Sequence, residues 1–128
     1  MATGAKRIGD DAEREAQELW RAFGFPKARR ALGAGRQDDV GDMHGIDLTA
    51  IQIQRCSAAT LASAIVTKVQ DVEQQRKNRR VPFSAVMLKR KGARILPWIV
   101  VLSPEAFAKV LRYAIIGWRQ EHNGPRSS

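Results

Sequence analysis

The feature that most constrains the fold is a strand pattern that runs directly into a long helical pattern. Residues 46–56 alternate between two kinds of side chain, which is typical of a strand with two different faces. One face carries Ile51 and Ile53, and the other carries Ala50, Gln52 and Gln54. Apolar residues then recur at helical spacing from Ser57 to about Asn78. This succession predicts a protein in which helices pack against a sheet.

The N-terminal part of the chain predicts a helix, a short strand and a loop. Asp10 or Asp11 can cap the amides of a first helical turn, and Gly24 suits the C-terminal end of that helix. Its apolar positions are Ala12, Ala16, Leu19, Trp20 and Phe23. Residues 26–32 are predicted to form a short strand, and the glycine-rich residues 33–41 a loop.

The C-terminal half predicts two further strands and a last helix. Residues 82–90 and 97–103 are apolar strand patterns, joined as a hairpin by the basic turn at residues 89–94. Ser103 can cap a helix that begins with proline and an acid. The apolar face of that helix is Phe107, Val110, Leu111 and Ala114. The complete order is helix, three strands, helix, two strands, helix, which predicts a central mixed β-sheet flanked by helices.

Length and composition narrow the class of protein. A chain of 128 residues suits one domain, predicted to span residues 1–118, with a disordered tail at 119–128. Its one cysteine, Cys56, excludes an intramolecular disulfide and suits a reducing compartment. The start lacks the apolar core of a signal peptide, and the apolar run at residues 95–102 is too short to span a bilayer. A cytoplasmic location without a membrane partner is therefore expected.

The charge predicts a polyanionic partner. Lysine and arginine total 22 against 13 acidic residues, a formal net charge of +9, and DNA or RNA is the simplest partner for such a chain. A small basic protein with no partner is the alternative. Anionic membranes fit less well, because no helix pairs a basic face with a bulky aromatic face. The candidate DNA contacts are Arg29, Arg30, Arg36, Lys68, Arg76, Lys77, Arg79, Arg80, Lys89, Arg90 and Lys91.

Short motifs along the chain occur in a recognisable order. A "GDDAER" helix start at residues 9–14 is followed by "GFPKARRALGAG" at residues 24–35. A "GDMHGI" segment at residues 41–46 then precedes the "QIQ" of residues 52–54. This order resembles the PD-(D/E)XK nuclease superfamily, and within it the archaeal-type Holliday-junction resolvases and their phage relatives, over about residues 8–107. The resemblance implies a restriction-endonuclease-like fold.

The resemblance also implies a metal site. Glu13, Asp42 and Gln52 would hold Mg²⁺, with Mn²⁺ as the alternative ion, and Gln54 would orient water or phosphate. The family has a carboxylate where this chain has Gln52 and a lysine where it has Gln54. A neutral amide attracts a dication less strongly than a carboxylate does, and Gln54 supplies no positive charge. Lys68 on the second helix is a candidate replacement for that charge.

The implied activity is that of an Mg²⁺-dependent endodeoxyribonuclease that cleaves four-way junctions or other branched DNA. A homodimer would provide two symmetric cuts, through apolar surface around Trp98 or through the last helix. One alternative is a DNA-structure-binding protein on the same fold that does not cleave. Another is a repair or restriction-like nuclease with a different DNA substrate.

Simpler roles exist for each candidate residue. Glu13 could be a first-turn acid that favours the helix dipole, and Asp42 could be a turn residue between glycines. The rival acids and the nearby histidine are Asp38, Asp39, Asp47 and His44. Glu15 is expected to be solvated, and Cys56 to be a small buried residue.

Overall fold

The computed structural model describes residues 4–30 and 40–123, of which residues 11–30 and 43–123 are described to the side chain. Along these residues the helices and strands are α1 (Gly4–Ala22), β1 (Arg29–Arg30), β2 (Val40–His44), β3 (Thr49–Cys56), α2 (Leu61–Arg79), β4 (Phe83–Arg90), β5 (Trp98–Val101) and α3 (Pro104–Asn123). The strands form one sheet in the order β1-β2-β3-β4-β5. Strands β3 and β4 pair in parallel, and the other neighbours pair antiparallel. The predicted α/β class with a mixed sheet and helices is confirmed.

The centre of the sheet is a strand–helix–strand unit. Strands β3 and β4 pair without a break, from Thr49 opposite Phe83 to Cys56 opposite Arg90. Parallel strands start at the same edge of a sheet, so the chain has to cross back between them. Helix α2 makes this crossing and covers one face of both strands.

Apolar residues fill both faces of the sheet. The core on the first face, here called the α1 core, contains Ala16, Ala28, Met43, Ile46, Ile51, Ile53 and Met87. The core on the opposite face, here called the α2 core, contains Ala50, Cys56, Ala64, Val72, Val86 and Leu88. The predicted division of strand β3 into two faces is therefore confirmed. Burial of each large apolar side chain stabilises the fold by about 1.5–3 kcal/mol.

Helix α1 begins earlier than the sequence pattern predicted. The expected start at Asp10 or Asp11 is wrong, because the helix begins at Gly4. Asp11 therefore lies within the helix, where it forms an ion pair at 3.4 Å with Arg14, one turn later, instead of capping the first turn. Residues 5–7 are Ala, Lys and Arg, which favour helix and extend it upstream. The end of the helix agrees with the prediction, since Gly24 follows it with a φ of 107°.

Strand β2 replaces part of the predicted loop and turn. This strand, residues 40–44, pairs with β1 on one side and with β3 on the other. Strand pairing therefore outweighs the local glycine-rich composition. The rest of the predicted loop, residues 31–39, lies outside the described residues. The turn into β3 depends on Gly45, whose φ is 82° and whose missing Cβ would lie 1.8 Å from the Lys27 carbonyl oxygen. A side chain at Gly45 would therefore push the β2–β3 turn away from the segment that joins α1 to β1.

The later elements follow the prediction with shifted ends. Helix α2 begins at Leu61, because Ser57 and Thr60 bond to each other in a turn: the Ser57 amide donates to the Thr60 hydroxyl at 3.1 Å. The β4–β5 hairpin and the Ser103 cap are confirmed, and the Ser103 hydroxyl accepts the Ala106 amide at 3.1 Å. Helix α3 continues to Asn123, so the predicted tail is wrong for residues 119–123.

Candidate functional site on strand β3

Two glutamines on β3 place polar atoms inside the protein. Gln52 is 9% exposed, and its side chain alternates with Ile51 and Ile53, so it faces α2. Gln54 lies two residues later on the same face. Among the described residues, neither the Gln52 Oε1 nor the Gln54 Oε1 has a hydrogen-bond partner, although both atoms are buried. A buried oxygen without a partner is costly, and such atoms often mark a site for water, an ion or a ligand.

The neighbouring strand brings Asp42 to the same position along the sheet. In the β2–β3 register, Asp42 stands directly opposite Gln52, and Val40 stands opposite Gln54. Directly opposed residues on antiparallel strands have Cα atoms about 4.5–5.5 Å apart. The backbone thus brings Asp42 next to Gln52, while the Asp42 side chain lies outside the described residues. Asp38 and Asp39 also lie outside them.

Glu13 approaches the sheet from the other side. It is fully buried on α1, with 1% of its surface exposed. Helix α1 packs on the α1 core through Ala16, whereas Gln52 belongs to the face that α2 covers. Glu13 and Gln52 therefore belong to opposite sides of β3. Among the side chains that the structure describes, no group of three His, Cys, Asp or Glu is placed to hold a metal ion.

Helix α2 adds two polar side chains to the face of Gln52 and Gln54. Lys68 and Gln75 are two turns apart and lie on one line along the helix. Glu73 lies on the opposite flank, where it binds Ser84 of β4, so the Lys68–Gln75 line is the flank directed toward β3. Within the described part of the chain the buried Gln75 Oε1 also has no hydrogen-bond partner. Lys68 is 19% exposed, and its Nζ lies 3.4 Å from Asp71.

Gln75 is the residue of this site that the sequence analysis missed. Its place within the basic end of α2 gave no signal, because a glutamine among charged residues is typical of a solvated surface. The polar set on this face comprises Gln52, Gln54, Lys68 and Gln75, with Asp42 beside it by register. Amide and carboxylate oxygens are the ligands that Mg²⁺ prefers. The buried amide oxygens therefore fit a hard cation in donor type.

Glu15 is exposed, as expected, and it also joins α1 to the far strands. Its Oε1 accepts hydrogen bonds from Lys89 at 2.6 Å and from the Trp98 ring nitrogen at 3.0 Å. The Lys89 ammonium also lies 5.3 Å from the centre of the Trp98 ring. Burial alone would raise the pKa of Glu15, but these bonds and the charges of Lys89 and Arg55 outweigh it and lower the pKa below 4.5. Lys89, a predicted DNA contact, and Trp98, part of a predicted dimer surface, are thus both bound to Glu15 within the chain.

The predicted DNA contacts divide between the two ends of the sheet. At the end where β3 begins, Arg29 stands opposite His44 in the register, and the exposed Lys77, Arg79 and Arg80 end α2. We call these four residues, Arg29, Lys77, Arg79 and Arg80, the basic end. The exposed Lys91 lies at the other end, after β4. The basic clusters that the structure describes therefore do not line a single groove.

Several of the predicted DNA contacts form hydrogen bonds within the chain. Arg76 donates to Glu73 at 3.1 Å and to the Val81 carbonyl at 3.2 Å. Arg90 donates to the carbonyls of Ile95 and Leu96 at 3.1 and 3.0 Å and so holds the hairpin loop. The half-buried Arg30 lies on β1, and Arg36 falls outside the described residues.

The remaining candidates take ordinary positions. His44 is half-buried on β2, and Asp47 is exposed in the β2–β3 turn. Cys56 is buried, as predicted, and this burial raises the pKa of its thiol.

Comparisons of the chain with protein-family models, with curated proteins and with solved structures find no match. Of the helices in the described ranges, none is both long and apolar enough to cross a membrane.

Proposed function

We propose that this protein acts on DNA as a metal-dependent endonuclease of the PD-(D/E)XK type, with branched DNA such as a four-way junction as its substrate. The observation that carries the proposal is a pair of buried amide oxygens, Gln52 Oε1 and Gln54 Oε1, which have no hydrogen-bond partner among the residues that the structure describes. They lie on the strand where the sequence resembles the nuclease site, and Asp42 stands opposite Gln52 in the register. A structural strand would gain nothing from amides whose oxygens remain unbonded.

The residues of the site would have different roles. Asp42, Gln52 and Gln54 would hold the ion, with Asp42 as the anionic ligand and the amides as neutral ones. A bound Mg²⁺ supplies Lewis acidity toward a phosphodiester oxygen and lowers the pKa of a water molecule. Lys68 would contribute positive charge toward a phosphate, in place of the strand lysine of the family. Glu13 reaches the ion only from the other side of β3, so it has a weaker claim than the resemblance gave it.

The basic end would position the DNA. Lys77, Arg79 and Arg80 crowd the last turn of α2, and the register brings Arg29 to the same end of the sheet. Exposed cations there can contact phosphates without reading sequence. Binding through them weakens as salt rises, with a slope of about −0.9 per neutralised phosphate on logarithmic axes.

A second candidate function is DNA-structure binding without cleavage. The observation that favours it is the replacement of the family's carboxylate and lysine by Gln52 and Gln54, together with the lack of a three-acid group among the described side chains. The homodimer that the resemblance implies is common to both functions. Of its two candidate surfaces, the one around Trp98 is largely used within the chain, because Trp98 contacts Glu15 and Lys89.

The deciding experiment is a cleavage assay on labelled four-way junction, linear duplex and single strand, each with Mg²⁺, Mn²⁺ or EDTA. We expect cleavage of the junction that EDTA abolishes. Asp42→Asn should lower the rate at least ~100-fold while junction binding and the melting temperature stay nearly unchanged, because the amide is almost isosteric. Asp47→Asn, in the exposed turn nearby, is the matched control and should cleave normally.

Each other result selects an alternative. Junction binding without cleavage in either metal supports the non-catalytic protein. Cleavage of linear duplex in preference to the junction supports a repair or restriction-like nuclease. If the protein binds no DNA, the proposal is wrong. If Asp42→Asn cleaves at the normal rate, Asp42 is not the anionic ligand of the metal.

A further inference from the structure

Among the elements described to the side chain, helix α3 has the most exposed residues. It has 20 residues, all of them described, and none is buried. Its one aromatic contact with the sheet joins Tyr113 to Phe83, with ring centres 5.7 Å apart. Helices in water owe most of their stability to packing of an apolar face. A helix of this length with so little cover is expected to have a further partner.

The side of α3 turned away from the sheet carries a continuous apolar stripe. Its members are spaced by four, three and four residues, which keeps them on one side of a helix. We call Phe107, Leu111, Ala114 and Trp118 the α3 stripe. The large side chains of the stripe are 54%, 44% and 57% exposed, and Ile115 at its margin is 41% exposed. At about 100° per residue, Leu111 lies roughly 160° around the helix from Tyr113.

The area of the stripe matches what a second copy of the chain could cover. Large apolar side chains expose about 150–250 Å² each when free, so these half-exposed residues offer about 400 Å² on each copy. Two copies would bury about 800 Å² of apolar surface, and at an apolar share of about 57% the total interface is about 1,400 Å². This is the size of a specific, stable protein–protein interface.

Charges beside the stripe favour one orientation. Glu105 and Arg119 lie on the same flank of α3, at opposite ends. An antiparallel pair sets Glu105 of each copy opposite Arg119 of the other, and it brings Phe107 opposite Trp118. In a parallel pair the equivalent flanks of the two helices lie on opposite sides of the contact, so Glu105 and Arg119 of the two copies do not meet. Arg112, near the middle of that flank, meets its own copy only in the antiparallel pair, where this one repulsive contact opposes the two attractive contacts between Glu105 and Arg119.

We infer that α3 pairs antiparallel with α3 of a second copy of this chain, through the α3 stripe. A homodimer is what the resemblance implies; the inference adds which face of α3 forms the contact and in which orientation. It uses no residue of the β3 site, so its result is independent of cleavage. The resulting dimer holds two β3 sites in a fixed two-fold relation.

The test is sedimentation velocity on the full chain over a concentration series up to about 100 μM, since interfaces of this size bind with micromolar affinity or better. We expect a dimer. Leu111→Glu should raise the dissociation constant at least ~100-fold, because the buried charge occurs twice in the interface. Ile116→Glu is the matched control: Ile116 is also 44% exposed but lies off the stripe, so dimerisation should change little.

A charge exchange tests the orientation. In the antiparallel pair, Glu105→Arg should weaken the dimer several-fold, and adding Arg119→Glu should restore it. In a parallel pair neither change would matter. Circular dichroism and melting temperature of each variant show that it is folded. A monomer at all concentrations, or equal effects of Leu111→Glu and Ile116→Glu, would overturn the inference; indifference to the charge exchange would overturn the antiparallel orientation.

Discussion

Helices α2 and α3 have nearly the same length and each carries an apolar stripe, yet only the stripe of α2 is buried. The stripe of α2, with Val72 at its centre, fills the α2 core between β3 and β4. The large side chains of the α3 stripe are about half exposed, and within the described ranges the ring contact of Trp118 is with His122 of the same helix. Helix α2 also has a polar anchor, because Glu73 accepts the Ser84 hydroxyl and the Arg76 guanidinium. The comparison teaches that periodicity identifies the face of a helix that needs cover, but not the surface that covers it.

Matched valine substitutions test this comparison most strongly. Val72 is 2% exposed and Val66, on the same helix, is 62% exposed. Val72→Ala should lower the free energy of unfolding by about 2–3 kcal/mol, because it leaves a cavity, and Val66→Ala by less than about 0.5 kcal/mol. Urea unfolding measures both. Equal losses would mean that α2 does not pack on the sheet through Val72.

The polar anchor of α2 gives a smaller effect that depends on pH. Ser84→Ala removes a hydrogen bond to a charged partner and should cost about 1–2 kcal/mol near neutral pH. Burial alone would raise the pKa of Glu73, but the bonds from Ser84 and Arg76 and the charges of Arg76 and Lys77 outweigh it, so the pKa is lowered from 4.5.

The sign of the pH dependence follows from that lowered pKa. The anchor contributes fully above the ordinary pKa of 4.5 and is lost as pH falls through the lower folded value. The gap in stability between the wild type and Ser84→Ala should therefore shrink in acid. Ser63→Ala, at an exposed position on α2, is the control. A gap that is constant from neutral to acidic pH would contradict the role of Glu73.

The smallest expected effect has the opposite sign. Gln75→Leu replaces a buried amide whose oxygen has no described partner and should raise stability by about 1 kcal/mol, whereas Gln70→Leu on the exposed side should change it little. If the β3 site is functional, the same Gln75→Leu change should reduce cleavage or DNA affinity. Thermal melting and the cleavage assay measure the two effects. A loss of stability would show that the Gln75 oxygen is bonded in solution.

The sequence predicted those features that depend on nearby residues. The two faces of β3, the core stripe of α2 and the Ser103 cap follow from local periodicity and local hydrogen bonds, and the structure has them. The flanking glycines suggested a turn as the alternative role of Asp42, but pairing with β3 makes it part of β2. Tertiary pairing outweighs local composition in such segments.

The site was predictable only along the strand. Gln52 and Gln54 stand out by their alternation with isoleucine, whereas Gln75 becomes part of the site through the rotation and position of α2. Glu13 was grouped with them by motif, although its helix packs on the other side of the sheet. Side chains brought together across elements depend on how those elements pack, and a pattern read along one element does not contain that information.

The contact between Glu15 and Trp98 has a consequence for how the chain is made. Its two ends are separated by 83 residues, and a ribosome adds about 5–20 residues per second. Helix α1 therefore leaves the ribosome roughly 4–17 seconds before its partner on β5 is synthesised. During that interval its apolar side, with Leu19 and Trp20, has no strand β4 or β5 to cover it. The apolar side of α1 thus stays without that cover until the last hairpin has been synthesised.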